Sequence, residues 1–113
     1  MQISEERRPG VFILGLSKRL DATTAQIVED RILGVIDAGD HRLVIDLAQL
    51  EYVSSAGLRV LLIAAKRLKT ANGRLALSGP TDHVRQVFDI AGVTSFLNIH
   101  SSRDEAIKHV ELR

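Results

Sequence analysis

From Val11 onward the chain alternates between short apolar runs and longer segments whose apolar residues recur every three or four positions. The short runs are "VFILGLS" (Val11–Ser17), "RLVIDL" (Arg42–Leu47), "RLALSG" and "SFLNIH", and only a few residues separate each from the helical segment that follows. Strands joined this way pair in parallel through right-handed crossovers, with the helices packed on the sheet. Ahead of them, "MQISEERR" has weak strand character and Pro9-Gly10 supplies turn chemistry, so a hairpin is expected at the N-terminus. The expected fold class is α/β, ordered β-β-α-β-α-β-α-β-α, with a mixed, mostly parallel sheet. A chain of 113 residues suits a single domain spanning 1–113 with its own core.

Helix boundaries follow from capping chemistry. Asp21 is read as the N-cap of a helix over Ala22–Ala38, carrying Ala25, Val28, Ile32, Val35 and Ile36 on one stripe, with Gly39 at its end. Leu58, Leu61, Leu62, Ala65 and Leu68 mark the second helix, which stops at Asn72-Gly73, and Arg59, Lys66 and Lys69 lie off the stripe. Val60, Ile63 and Ala64 widen its apolar surface and read either as core or as part of a docking patch. Thr81 caps a third helix closed by Gly92. Ser102-Arg103-Asp104-Glu105 has the S-x-x-E spacing of a capping box opening the fourth.

Composition removes several functions. Fifteen Lys and Arg against fourteen Asp and Glu leave +1, too little to draw the chain to nucleic acid or anionic lipid. The absence of cysteine excludes disulfides, thiol nucleophiles and cysteine-held metals. His41, His83, His100 and His109 lack metal-ligand spacing, no phosphate-binding loop is present, and no cofactor is expected. No signal core or membrane-length apolar run occurs, so a cytoplasmic protein is expected.

One junction stands apart. "LEYVSSAGLRVLL" (residues 50–62) begins like the end of a buried strand and finishes as a helix, with Ser54, Ser55, Ala56 and Gly57 between. One of the serines capping the helix accounts for a hydroxyl there, and removing that cap costs about 1 kcal/mol. Gly57 is less easily explained, because glycine in a helix costs about 0.5–1 kcal/mol relative to alanine. A backbone or a partner coming close would offset that. "VSSAG" lacks the first glycine of a G-x-S-x-G nucleophile elbow, which makes a serine hydrolase with Asp89, His100 or His109 a weak alternative. A regulatory reading uses the same place differently: sites in parallel α/β folds lie beyond the carboxyl ends of strands, and a helix N-terminus accommodates a phosphoryl group.

The stretch "VIDLAQLEYVSSAGLRVLLIAAKRLKTANGRLALSG" resembles the STAS domain of bacterial anti-sigma factor antagonists, whose hallmark is a D/S-S-S/T/A-G-L helix start after an aspartate–leucine strand end. "RLDATTA" and "DHVRQVFDIAGV" are similar to the family's segments before the first helix and within the third. The resemblance implies a STAS-like fold and a non-enzymatic partner switch. An unphosphorylated antagonist binds an anti-sigma factor that is also a serine kinase, is released on phosphorylation, and is restored by a PPM-type phosphatase. It places the phosphoacceptor on Ser55 and partner contacts on Asp21, Ser54, Ser55, Gly57, Leu58 and Arg59, with Asp46 and Leu47 as the strand end supporting the serine loop. Lys18 stands where relatives often carry glycine, and Ser54 where they often carry aspartate. The alternative is a STAS subunit of a signalling assembly or transporter that binds a partner without switching. Self-association is left open.

Overall fold

The computed structural model describes residues 2–111; Met1 and residues 112–113, counted in the expected domain, lie outside them. The elements are β1 (Ile3–Arg8), β2 (Val11–Leu20), α1 (Ala25–Asp37), β3 (Arg42–Val53), α2 (Ser55–Thr70), β4 (Arg74–Ser78), α3 (Asp82–Ala91), β5 (Ile99–His100) and α4 (Arg103–Glu111). The five strands form one sheet in the order β1-β2-β3-β4-β5, antiparallel at β1–β2 and parallel elsewhere. The expected α/β order and hairpin are therefore present.

Strand alternation divides the core in two. Phe12, Leu14 and Leu16 of β2, Leu43, Ile45 and Leu47 of β3, and Leu75 and Leu77 of β4 pack with α1, α2 and α3. Their alternates Val11, Ile13, Val44 and Ala76 meet Ala106, Ile107 and Val110 of α4 alone. Runs covered on both faces read as continuous apolar sequence, and this is why "RLVIDL" and "RLALSG" show no polar alternation. Leu61 and Leu68 have no exposed surface, and each such leucine contributes about 1.5–3 kcal/mol by leaving water. Val60 and Ala64 join them, which assigns both to the core.

Three boundaries differ from expectation. α1 begins at Ala25 rather than Ala22, because residues 22–24 form a turn with the Thr24 and Ala25 amides on the Asp21 carbonyl. β3 runs to Val53, six residues beyond Leu47, since β2 continues beside it as far as Leu20. The expected strand "SFLNIH" shrinks to Ile99–His100 because Phe96 and Leu97 donate to the Val93 carbonyl in a turn. The other caps form as read: Thr81 Oγ1 accepts from the Val84 amide at 3.3 Å, and Gly92 closes α3 at φ 72°.

α4 is locked to its face of the sheet by charge. Arg103 donates from Nε and Nη2 to Asp46 Oδ2 at 3.1 and 2.7 Å, and from Nη1 to Glu6 at 2.9 Å. Hydrogen bonds and ion pairing with these carboxylates hold the guanidinium above its ordinary pKa. Asp46 thus sits mid-strand and anchors α4. It does not support the serine junction, as the resemblance implied, and its neighbour Leu47 is fully buried core.

Candidate functional site

The paired ends of β2 and β3 deliver the serine junction. β4 pairs with β3 only from Arg42 to Asp46, whereas β2 and β3 stay paired to Arg19–Tyr52 and Leu20–Val53. That extension passes two register irregularities, and at the second Lys18 takes φ 68°. The left-handed region favours glycine, so lysine occupies here the backbone conformation a glycine would adopt freely. Lys18 adopts that conformation within β2 and adds a cation, whose Nζ lies 3.9 Å from Glu51.

At the tip the Ser54 amide donates to the Leu20 carbonyl at 2.9 Å, tying the start of α2 to the end of β2. Ser54 is extended (φ −98°, ψ 176°), and its Oγ accepts from the Gly57 amide at 3.3 Å. Ser54 is therefore the N-cap. Ser55 is the first helical residue; it is exposed, and its hydroxyl has no hydrogen-bond partner among the described residues. The first turn of α2 contains no acidic residue.

Gly57 is explained by close approach. A Cβ there would lie 2.7 Å from both the Leu20 carbonyl oxygen and Leu20 Cγ, and 3.0 Å from Val53 Cγ2. The helix start thus presses on the end of the β2–β3 pair, and only hydrogen fits between. Leu58 is 8% exposed and packs in the core. Gly57 has no side chain and that of Leu58 is buried, so both position the junction. Arg59, one residue on, is exposed.

Asp21 comes to the same edge through Leu20, but not as a helix cap. Its Oδ1 accepts from the Thr23 amide at 3.0 Å and the Thr23 hydroxyl at 2.7 Å, while Thr24, the N-cap of α1, makes no side-chain cap. The Thr23 hydroxyl and amide, with Arg19, hold the Asp21 carboxyl below its usual pKa. This carboxylate, paired with Arg19, follows Leu20, whose carbonyl holds the Ser54 amide.

Residues that the sequence reading passed over complete this surface. Arg19 lies over the Tyr52 ring at 4.2 Å from its centroid, and its Nε is 3.4 Å from Asp21. The Tyr52 ring lies nearly parallel to that of His83 on α3, centroids 6.4 Å apart. The stack joins the ends of β2 and β3 to the first turn of α3. Its available signal was the chain's single tyrosine, two residues before the serines and close to an arginine only in the folded chain. No triad assembles: His109 lies on α4, across the sheet from α2, and no histidine or carboxylate bonds Ser55 among the described residues. Among those residues, no three His, Asp or Glu side chains are grouped to hold a metal, and no helix is long and apolar enough to cross a membrane.

The STAS domain family matches residues 2–106. This chain is a STAS domain. Its sequence is 37% identical over 106 residues to the putative anti-sigma factor antagonist BtrV of Bordetella bronchiseptica, covering 94% of this chain and 91% of that one. A putative anti-sigma factor antagonist from Thermotoga maritima has the same fold, with TM-score 0.91 and 21% identity over 97% of this chain and 95% of the other. The phosphorylated form of the Bacillus cell fate determinant SpoIIAA superposes with TM-score 0.74 and 22% identity, over 96% and 99% of the two chains. In this STAS domain the serine motif sits where β3 meets α2, with Ser55 and Arg59 exposed and Gly57 and Leu58 buried.

Proposed function

We propose that this STAS domain is an anti-sigma factor antagonist whose hold on an anti-sigma factor is switched by phosphorylation of Ser55. The reading takes its partner class from the relatives' names, BtrV first among them. The carrying observation is the Ser55 hydroxyl: exposed, without a hydrogen-bond partner, and first in a helix whose opening turn has no carboxylate. Ser54 is the poorer acceptor because its oxygen is engaged by the Gly57 amide.

Phosphorylation adds about −1.5 to −2 charges at neutral pH. The amide-rich start of α2 tolerates them, since negative charge is favoured there. A partner packed over Asp21, Ser54, Ser55 and Arg59 does not, because it would have to desolvate a dianion beside the Asp21 carboxylate. A penalty of about 3 kcal/mol weakens binding more than a hundredfold. The partner is an anti-sigma factor with serine kinase activity, and a PPM-type phosphatase resets the cycle.

Incubation with the cognate kinase and ATP, followed by intact-mass measurement, should show one phosphoryl group on wild type and none on Ser55→Ala. By calorimetry Ser55→Asp should bind the anti-sigma factor at least a hundredfold more weakly, while Ser55→Ala binds like the unmodified protein. A phosphoryl gain that survives Ser55→Ala, or undiminished binding by Ser55→Asp, overturns the assignment.

A further inference from the structure

Away from the serine junction, Phe96 is 71% exposed. It is held there and not left loose: its amide donates to the Val93 carbonyl at 2.9 Å, and its neighbours Val93 and Leu97 are buried in the core at 7% and 4% exposure. Two grooves flank the ring. One, of about 260 Å³, is lined by Leu62, Ala65, Lys66 and Lys69 of α2; the other, of about 280 Å³, runs past Ala65 and Lys69 to Arg74, Leu75 and His109. Each is smaller than the usual small-molecule site of about 300–1,000 Å³ but accepts a side chain.

The charge around these grooves is of one sign. Their ionisable lining among the described residues is Lys66, Lys69, Arg74 and His109, with no carboxylate. Among the described residues none of Lys66, Lys69 and Arg74 is in an ion pair, although Arg67 on the same helix as the lysines is paired with Asp37. In a chain of net charge +1 this is a local segregation of charge.

We propose that this surface docks an acidic amphipathic helix of a partner protein, with apolar side chains in the grooves beside Phe96 and carboxylates over Lys66, Lys69 and Arg74. The chemistry is the helix-in-groove mode with charge complementarity at its rim. A second copy of this chain fits poorly, because a two-fold contact sets the same cations against each other. A flat anionic bilayer leaves the grooves unfilled. The site's two lysines on α2 lie eleven and fourteen residues beyond Ser55, about 17 and 21 Å at 1.5 Å per residue. That exceeds the screening length of about 8 Å at physiological salt, so a phosphoryl group on Ser55 leaves this surface unaffected. The proposal is independent of the switch at Ser55.

The test is a titration of ¹⁵N-labelled full-length protein with a synthetic helical peptide of about 18 residues, leucine on one face and glutamate on the other, against an otherwise identical lysine peptide. The glutamate peptide should shift amides of the last two turns of α2, residues 93–98 and Arg74. Binding should fall at least tenfold in Phe96→Ala and in the double variant Lys66→Glu/Lys69→Glu, and several-fold at about 0.5 M salt. It should change less than twofold in Ser55→Asp. These side chains are exposed, so the fold survives their replacement, and an unchanged thermal midpoint verifies it. Equal binding of the lysine peptide, no saturation at millimolar peptide, or shifts centred elsewhere overturns the proposal. So does dimerisation abolished by Phe96→Ala, or Phe96-dependent sedimentation with phosphatidylserine vesicles that the peptide does not displace.

Discussion

Two helices of this domain open on a serine pair, and they use it differently. Ser101-Ser102 precedes α4 as Ser54-Ser55 straddles the start of α2, and in both one serine oxygen accepts the amide three residues on, from Glu105 at 3.2 Å and from Gly57 at 3.3 Å. Beyond the cap the two diverge. In α4 the Glu105 carboxylate accepts from both hydroxyls, at 3.1 and 3.2 Å, Asp104 adds a second negative charge, and Arg103 is clamped by Asp46 and Glu6. In α2 the corresponding three residues are Ser55, Ala56 and Gly57, with no charge and no side-chain hydrogen bond beyond the cap itself. The positive end of α4 is already answered by its own carboxylates; that of α2 is left open. A capping serine therefore says little about function, and the three residues after it say more.

The sharpest way to break this contrast is at the third helical position. Gly57→Ala should cost about 2 kcal/mol in urea denaturation, because its Cβ meets the Leu20 carbonyl and neither backbone can yield cheaply. Glu105→Gly, the reciprocal change in α4, should cost about 1 kcal/mol through lost cap bonding and helix propensity. A Gly57→Ala protein as stable as wild type would show that close approach does not fix this glycine. Next in size, Ser54→Ala should lose about 1 kcal/mol and Ser55→Ala less than about 0.5 kcal/mol. The reverse order would make Ser55 the cap and remove its free hydroxyl. Smaller again, Ser55→Asp should raise stability by about 0.3–1 kcal/mol at low ionic strength, since it places an anion in an unanswered first turn. Loss of stability in that variant would contradict the idea that the domain tolerates phosphorylation.

Much of this was legible in the chain because it is local. Thr81 and Gly92 bound α3, and Ser102 with Glu105 opens α4, through contacts within one turn. The serine junction was legible for the same reason, a strand end and a helix start meeting within four residues. What escaped the reading depends on neighbours distant in sequence. β3 continues through Gln49 and Glu51 only because β2 bends at Lys18 to stay beside it. Asp21 looks like a helix cap in one dimension, yet Thr23 captures its carboxylate first. The resemblance ties Asp46 to the serine junction, whereas Arg103, 57 residues away, is its partner. Tyr52 acquires its role from Arg19 and His83, brought together by the sheet and α3.

The far ends of the same two helices give the smallest effect and one that pH can read. The last turn of α2 carries Arg67 and Lys69, while that of α4 carries Lys108 and His109. Burial, then the nearby His100 and Arg74, push the His109 pKa below its ordinary value, against the pull of the α4 C-terminus on a cation. His100 lies with its ring centroid 5.0 Å from that of His109, and Glu105 and Lys108 line the shallow groove beside them. The unfolded chain therefore takes up a proton more readily than the folded one, so this histidine's contribution to stability is complete above about pH 6.5 and declines as pH falls through the lowered folded value. Native-state hydrogen exchange on lowering the pH from neutral should show α4 amides losing protection, with the first turn of α2 unchanged relative to global stability. His109→Gln should flatten that dependence while leaving Ser55 phosphorylation at neutral pH as it was. Equal loss of protection in both helices would mean that acid acts on the whole sheet and that the two ends are not separable.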